Sequence, residues 1–221
     1  MARIAVLIDL SFFVARYKKL KLSPGAIPIA ADAAKCVWDS AKAHVVNGED
    51  ELYRILVYDC RPLAKKAHNP ISKSAIDFAT SHVFKFRTEL HRQLVCKRKV
   101  ALRLGELADR ARWIIRENPT KDLLKGTKAI ADLKPDDVEY DVQQKGVDIK
   151  IGIDIASIAY KRLADRIVLI TGDSDFVPAA KLARREGIDL VLDPLWATIS
   201  PSLNEHVDGL NTNWPKPRPA A

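Results

Sequence analysis

Residues 145–193 read KGVDIKIGIDIASIAYKRLADRIVLITGDSDFVPAAKLARREGIDLVLD, and this stretch decides the fold. Residues 147–163 keep apolar side chains at helical spacing behind Gly146. Residues 167–171 are a short apolar, β-branched run, the pattern of a strand buried on both faces. Residues 176–186 return to helical spacing and are closed by Gly187, a residue type suited to the turn that ends a helix. Residues 188–192 form a second buried run. Strands alternating with helices imply crossover connections and a mostly parallel sheet.

The same alternation extends outward. Toward the N-terminus, residues 138–142 suggest a short strand. Residues 118–137 are polar and carry Pro119, Gly126 and Pro135, which predicts a loop or insertion. Residues 75–104 are mixed, with a helix expected over 89–97 and a strand over 100–104. Residues 61–74 read as a basic loop containing Pro62 and Pro70. Residues 52–59, LYRILVYD, are a buried strand ending in an acid, and residues 4–8 are another, ending at Asp9. Helices are expected over 12–20 and 30–46. Beyond the quoted stretch, residues 202–210 suggest a short closing helix, and the proline-rich tail 211–221 is expected to be disordered. The expected fold is α/β, a three-layer sandwich with a central, mainly parallel sheet, in one domain spanning residues 1–210.

The 221 residues suffice for a core without staples. Cys36, Cys60 and Cys96 are odd in number and far apart, which argues against a disulfide framework or a cysteine zinc site. Asp9 interrupts the only apolar run near the N-terminus, so neither a secretory signal nor a membrane span is expected, and the expected location is cytoplasmic. The net charge of +8 is uneven: residues 61–103 hold 11 basic and 2 acidic residues. A local basic excess points to a polyanionic partner or to a solvated basic face.

In an open α/β sheet, ligands sit beyond the carboxyl ends of the strands. Asp9, Asp59 and the Gly172-Asp173-Ser174-Asp175 turn all follow strands, and Asp148 opens a helix. Gathering Asp9, Asp173 and Asp175 costs repulsion unless a cation neutralises them. Oxygen donors without nearby His or Cys favour Mg²⁺ or Mn²⁺, an ion able to activate water against a phosphodiester. The structural alternatives are that Asp175 caps the next helix and that Asp154 pairs with Lys150. Asp148 and Asp154 are six helical positions apart, so they do not share a face.

The quoted segment resembles the C-terminal half of the NYN domain, a PIN-like nuclease fold that includes the LabA-like bacterial proteins. KGVD, the acid six residues later, GDSDF and REGI occur in that family's order and spacing. The strand ending in Asp9 matches its first acid, and SLNEHVDGL is similar to its closing helix. The resemblance covers residues 3–20, 52–60 and 138–210. It implies a metal-dependent ribonuclease whose acidic cluster comprises Asp9, Asp148, Asp154, Asp173 and Asp175. One departure stands out. The family often carries Asp-x-x-Asn at its first acid, whereas this chain reads Asp9-Leu10-Ser11-Phe12-Phe13, with Ser11 and no amide.

The expected function is therefore hydrolysis of RNA, single-stranded or in a structured loop, with Asp9, Asp148, Asp173 and Asp175 holding metal. Arg61, Lys65, Lys66, Arg87, Arg92 and Arg103 are candidates for the substrate backbone on charge alone, with Ser174 beside the acids. Self-association into a homo-oligomer is compatible with this reading. The rival is a catalytically weak RNA-binding or regulatory module that keeps the fold. Other classes lack their signatures. No G-x-G-x-x-G follows the first strand. No G-x-S-x-G elbow exists. Ser11 stands where a dehalogenase-type phosphatase needs a second Asp. The five histidines are scattered and read as surface or packing residues, and Trp38 reads as packing.

Overall fold

The computed structural model describes residues 1–217. The sheet strands are β1 (Ala2–Asp9), β2 (Asp50–Cys60), β5 (Val100–Ile115), β6 (Val138–Lys145), β7 (Arg166–Ile170), β8 (Asp189–Asp193) and β9 (Gly209–Leu210). A separate hairpin pairs β3 (Lys66–His68) with β4 (Ala75–Asp77). The helices are α1 (Leu10–Lys21), α2 (Ala30–Lys42), α3 (His82–Val95), α4 (Glu117–Leu124), α5 (Val147–Tyr160), α6 (Val177–Arg185) and α7 (Pro201–Glu205).

The seven-stranded sheet has the order β6-β5-β2-β1-β7-β8-β9. Every pairing in it is parallel except β5 with β6. Central β1 buries Ile4, Ala5, Val6, Leu7 and Ile8 completely, which is why its sequence is continuously apolar rather than alternating. Alternate residues serve the two faces. Ile4, Val6 and Ile8 pack with Phe13, Val37 and Leu90 from the α1–α3 layer. Ala5 and Leu7 pack with Ile151, Ala180 and Leu203 from the α5–α7 layer. The fold is thus the expected three-layer α/β sandwich. Each fully buried large apolar side chain contributes roughly 1.5–3 kcal/mol, so the strand interiors, not the strand ends, hold the fold.

The neighbours of β1 are β2 on one side and β7 on the other. Its carboxyl end is therefore a switch point, where flanking connections diverge and leave a crevice. Asp9 stands at that end.

The middle of the chain departs most from expectation. The strand expected over five residues is the 16-residue β5. Its pairing with β2 ends at Cys60 opposite Gly105. The rest runs on for roughly 33 Å at strand rise and pairs with β6 as an antiparallel arm. That half is largely exposed and interleaves charged with apolar residues, so no continuous buried run announced it. Helix α3 starts at His82, seven residues before the predicted start, because the Ser81 hydroxyl accepts a hydrogen bond from the Phe84 amide. The basic 61–74 segment contains β3, and the polar 118–137 segment holds all but the first residue of α4.

The tail also differs over its described part. Trp214 is buried, meets Phe13 edge-on at 5.3 Å and donates its indole N–H to Ser40 Oγ at 2.8 Å. One large aromatic side chain provides enough apolar area to dock a proline-rich strand of chain. Residues 218–221 lie outside the described residues. Among the described residues no helix is long and apolar enough to cross a membrane.

Candidate active site

The crevice at the end of β1 is built from three turns. Asp9 is the N-cap of α1, and its Oδ1 accepts the Phe12 amide at 3.1 Å. The turn after β7 begins at Gly172. A Cβ there would stand 2.8 Å from the Phe12 ring, so only glycine lets this turn close against the start of α1. Asp173 follows, and its Oδ1 accepts the Asp175 amide at 2.9 Å. Helix α5 enters through Gly146 at φ +77°, a left-handed conformation that a side chain resists, and presents Asp148 in its first turn.

These acids sense one another. Asp9 is pushed up to about 6. Burial is the main cause, Asp148 and Asp59 add to it, and the amides of Phe12 and Ser11 oppose it. The Asp148 carboxyl is also raised, first by burial and then by Asp173 and Asp175. Asp173, Ser174 and Asp175 are exposed. The structure therefore brings together four of the five predicted acids, Asp9, Asp148, Asp173 and Asp175, with no basic side chain paired to any of them among the described residues. The donor set is all oxygen, which suits a hard divalent cation. The acids are not drawn into a tight cage: among the described residues no three His, Cys, Asp or Glu side chains converge closely enough to grip an ion.

Asp154, the fifth acid, is elsewhere. Its Oδ2 accepts the Tyr58 hydroxyl at 2.8 Å and Arg103 Nε at 3.0 Å. Burial, then Asp154, pushes the Tyr58 phenol up, which keeps it a donor. Six residues carry Asp154 about 9 Å down the axis of α5 from Asp148. The salt-bridge alternative was right in kind and wrong in partner, since Arg103 rather than Lys150 completes it.

Asp59 ends the neighbouring strand and faces the α3 layer. It is 1% exposed at its side chain and accepts Arg87 Nη1 and His91 Nε2, each at 2.7 Å. A carboxylate only accepts, so this His91 nitrogen carries its proton. Ser11 Oγ and Gln144 Nε2 reach Asp59 Oδ1 at 3.3 Å, and Gln144 Nε2 also donates to Ser11 Oγ at 2.9 Å. Burial would raise the Asp59 carboxyl. The His91 hydrogen bond and the Arg87 charge outweigh it and hold the group below the ordinary value.

This network corrects the reading of two residues. His91 is a buried partner rather than a surface or packing residue, and Arg87 is committed to Asp59. Their i, i+4 spacing put both on one face of a helix, a signal that was present in the sequence. Gln144 had no such signal, yet it brings a side-chain amide to Ser11, where the sequence lacks the family's own.

The remaining basic candidates are mostly paired. Arg103 is on Asp154, Arg92 on Glu89 and Lys65 on Asp109, while Lys66 lies 3.9 Å from Asp77. Arg61 is exposed just past β2 and has no ion pair among the described residues.

No curated protein matches the chain. Among solved structures, a protein of unknown function from Vibrio parahaemolyticus RIMD 2210633 is similar at 15% identity, over 96% of this chain and 93% of that one, with a TM-score of 0.45. The profile of the family described as NYN domain matches residues 74–208. That span holds Asp148, Asp154, Asp173 and Asp175, and leaves Asp9 and Asp59 outside. It covers more than half of the sequence, and the chain belongs to the NYN domain family of PIN-like nucleases.

Proposed function

We propose that the protein hydrolyses RNA phosphodiester bonds with the help of Mg²⁺ or Mn²⁺ held by Asp9, Asp148, Asp173 and Asp175. One observation carries this reading. Acids from three separate elements face the switch point, the carboxyls of Asp9 and Asp148 are raised by burial and then by neighbouring acids, and none of the four is ion-paired among the described residues. Such an arrangement is costly unless something outside the chain neutralises it. PIN-like nucleases typically use divalent metals, and the all-oxygen donor set suits one.

When bound, the ion supplies an activated water and offsets charge on the phosphate. The chain's residues do the rest. The Phe12 and Asp175 amides each hold one oxygen of Asp9 and Asp173, which restrains both carboxylates. Asp148, exposed in the first turn of α5, completes the acidic set from the far side of the crevice. Arg61 and the Ser174 hydroxyl supply contacts to the RNA backbone. Asp154 acts through Tyr58 and Arg103 to seat α5 and so positions Asp148.

A second reading has one observation in its favour. Among the described residues the acids do not converge into a closed cage, which suits a catalytically weak RNA-binding module. The two part in one experiment. Labelled single-stranded RNA, structured RNA and single-stranded DNA are incubated with Mg²⁺, Mn²⁺ or EDTA, beside Asp173→Asn. The expected result is RNA cleavage that requires metal and falls at least about 100-fold in the variant, the scale of losing a group that stabilises transition-state charge. The variant should keep its circular dichroism spectrum, because Asp173 is exposed and the core is elsewhere. Salt-sensitive binding without cleavage under every condition would favour the weak module.

A further inference from the structure

A cavity of about 610 Å³ opens beside Asp59, the neighbour of Asp9 at the end of β2, between the β3–β4 hairpin and the β5–β6 arm. Its floor includes Asp59, Arg87 and Gln144, and its walls include Phe78, Trp113 and Tyr140. We infer that this cavity is a nucleobase subsite, which seats one base of the RNA next to the bond being cut. The inference rests on the hydrolase reading for its position in a reaction, and on the cavity's own chemistry for its ligand.

Three features point to a base. The walls are aromatic: the Phe78 and Tyr140 rings stand 5.3 Å apart, and Trp113 meets Tyr140 edge-on at 5.5 Å. All three rings are half-buried rather than sealed in a core. Packed interiors do not leave voids of this size, whereas ligand pockets commonly measure about 300–1,000 Å³. The Tyr140 ring is fixed in place, since its hydroxyl donates to Asp109 Oδ1 at 2.8 Å and the Lys65 ammonium lies 5.5 Å from its centroid. A fixed ring stacks a base with little ordering cost.

The second feature is charge. Arg61, Arg87 and Arg116 reach the lining, as do Asp59, Asp136 and Glu139. Arg87 is held by Asp59 and Arg116 lies 3.7 Å from Glu139, so Arg61 is the lining arginine without an ion pair among the described residues, placed to meet the phosphate joined to a base. An apolar peptide segment would gain nothing from it. The third is continuity with the acids. Asp59 lines the cavity, follows Tyr58, the residue opposite Asp9 in the sheet register, and accepts the Ser11 hydroxyl two residues beyond Asp9 at 3.3 Å. Gln144 must turn its Nε2 toward Asp59, because a carboxylate cannot donate. Its Oε1 is left as an acceptor on the lining, able to meet the polar edge of a base.

The test uses the full chain in EDTA, where binding is read without turnover. Adenosine 5′-monophosphate and ribose 5-phosphate are titrated calorimetrically. The nucleotide should bind at least about tenfold more tightly, the scale of one base–aromatic stack. Trp113→Ala and Tyr140→Ala should each remove about tenfold of that preference, and Trp113→Phe should retain most of it. Should the alanine variants fail to fold, Ser74→Trp, an exposed lining position, should block the nucleotide while leaving the circular dichroism spectrum unchanged. Equal binding of the two ligands, or a preference indifferent to all these variants, overturns the subsite. Nucleotide binding in a protein that cleaves nothing upholds the subsite and sinks the hydrolase. Cleavage that needs metal and Asp173 but ignores Tyr140→Ala, Trp113→Ala and Ser74→Trp upholds the hydrolase and overturns the subsite.

Discussion

Asp9 and Asp59 end neighbouring parallel strands and stand one register position apart, with Asp9 opposite Tyr58. In sequence they are near twins, each an acid closing a buried apolar run. In the structure they meet opposite surroundings. Asp59 faces the α3 layer and is wrapped by Arg87, His91, Ser11 and Gln144. Asp9 faces the α5 layer, receives only backbone amides, and looks toward more acids. The chain compensates the first charge internally and leaves the second open to an external cation. Which of two similar acids is functional is thus decided by what the opposite helix offers, not by the strand that carries it.

The largest effect should come from breaking the compensated side. Asp59→Asn leaves the Arg87 guanidinium, 19% exposed at its side chain, without its counter-charge. Removing one partner of a buried ion pair costs about 3 kcal/mol or more, so the urea midpoint should fall markedly. Adding Arg87→Ala should recover part of the loss. A loss below about 1 kcal/mol would show that the pair behaves like a surface bridge and would dissolve the contrast with Asp9.

The open side should behave with the opposite sign. Asp9 titrates near 3.8 when unfolded and near 6 when folded. Between these values the folded chain holds the extra proton, so the stability Asp9 contributes is full below about pH 4 and is lost as pH rises through 6. Asp59 runs the other way: its contribution is present above its unfolded value and lost as pH falls toward its lower folded one. Asp9→Asn keeps the N-cap acceptor and removes the charge. In EDTA at pH 7.5 it should therefore be more stable than wild type by roughly 3 kcal/mol at most, with the gap closing by pH 4. Urea titrations at the two pH values check this. A variant less stable at pH 7.5 would mean that Asp9 has a compensating charge after all.

The contrast also marks how far the sequence could be read. Strands with continuous apolar runs, β1, β2, β7 and β8, were legible because burial on both faces leaves a composition that little else produces. The acids at their ends were legible as positions, since a parallel sheet exposes its carboxyl edge. The partners were not. Gln144 reaches Ser11 across 133 residues, and no local pattern encodes such a contact. Arg87 and His91 were half legible: their i, i+4 spacing was visible, whereas the buried acid they serve was not. Of the β5–β6 arm, the start of β6 was legible over 138–142, whereas the extension of β5 past Gly105 was hidden because its charged and apolar residues never form one continuous apolar run.

The smallest effect concerns Asp154, which the family pattern groups with the site and the structure seats against Tyr58 and Arg103. If Asp154 belonged to the reacting set, Asp154→Asn would match the roughly 100-fold loss expected of Asp173→Asn. As a positioning residue it should cost less than about tenfold, because the amide still accepts from Tyr58 and only the charge on Arg103 is lost. Arg103→Ala isolates that charge. Arg103 is 46% exposed at its side chain and Asp154 is 20% exposed, so the bridge is worth about 0.5 kcal/mol, and cleavage should change less than twofold. Equal losses in Asp154→Asn and Asp173→Asn would move Asp154 into the cluster and make Asp9 and Asp59 a less complete account of what separates the open face from the compensated one.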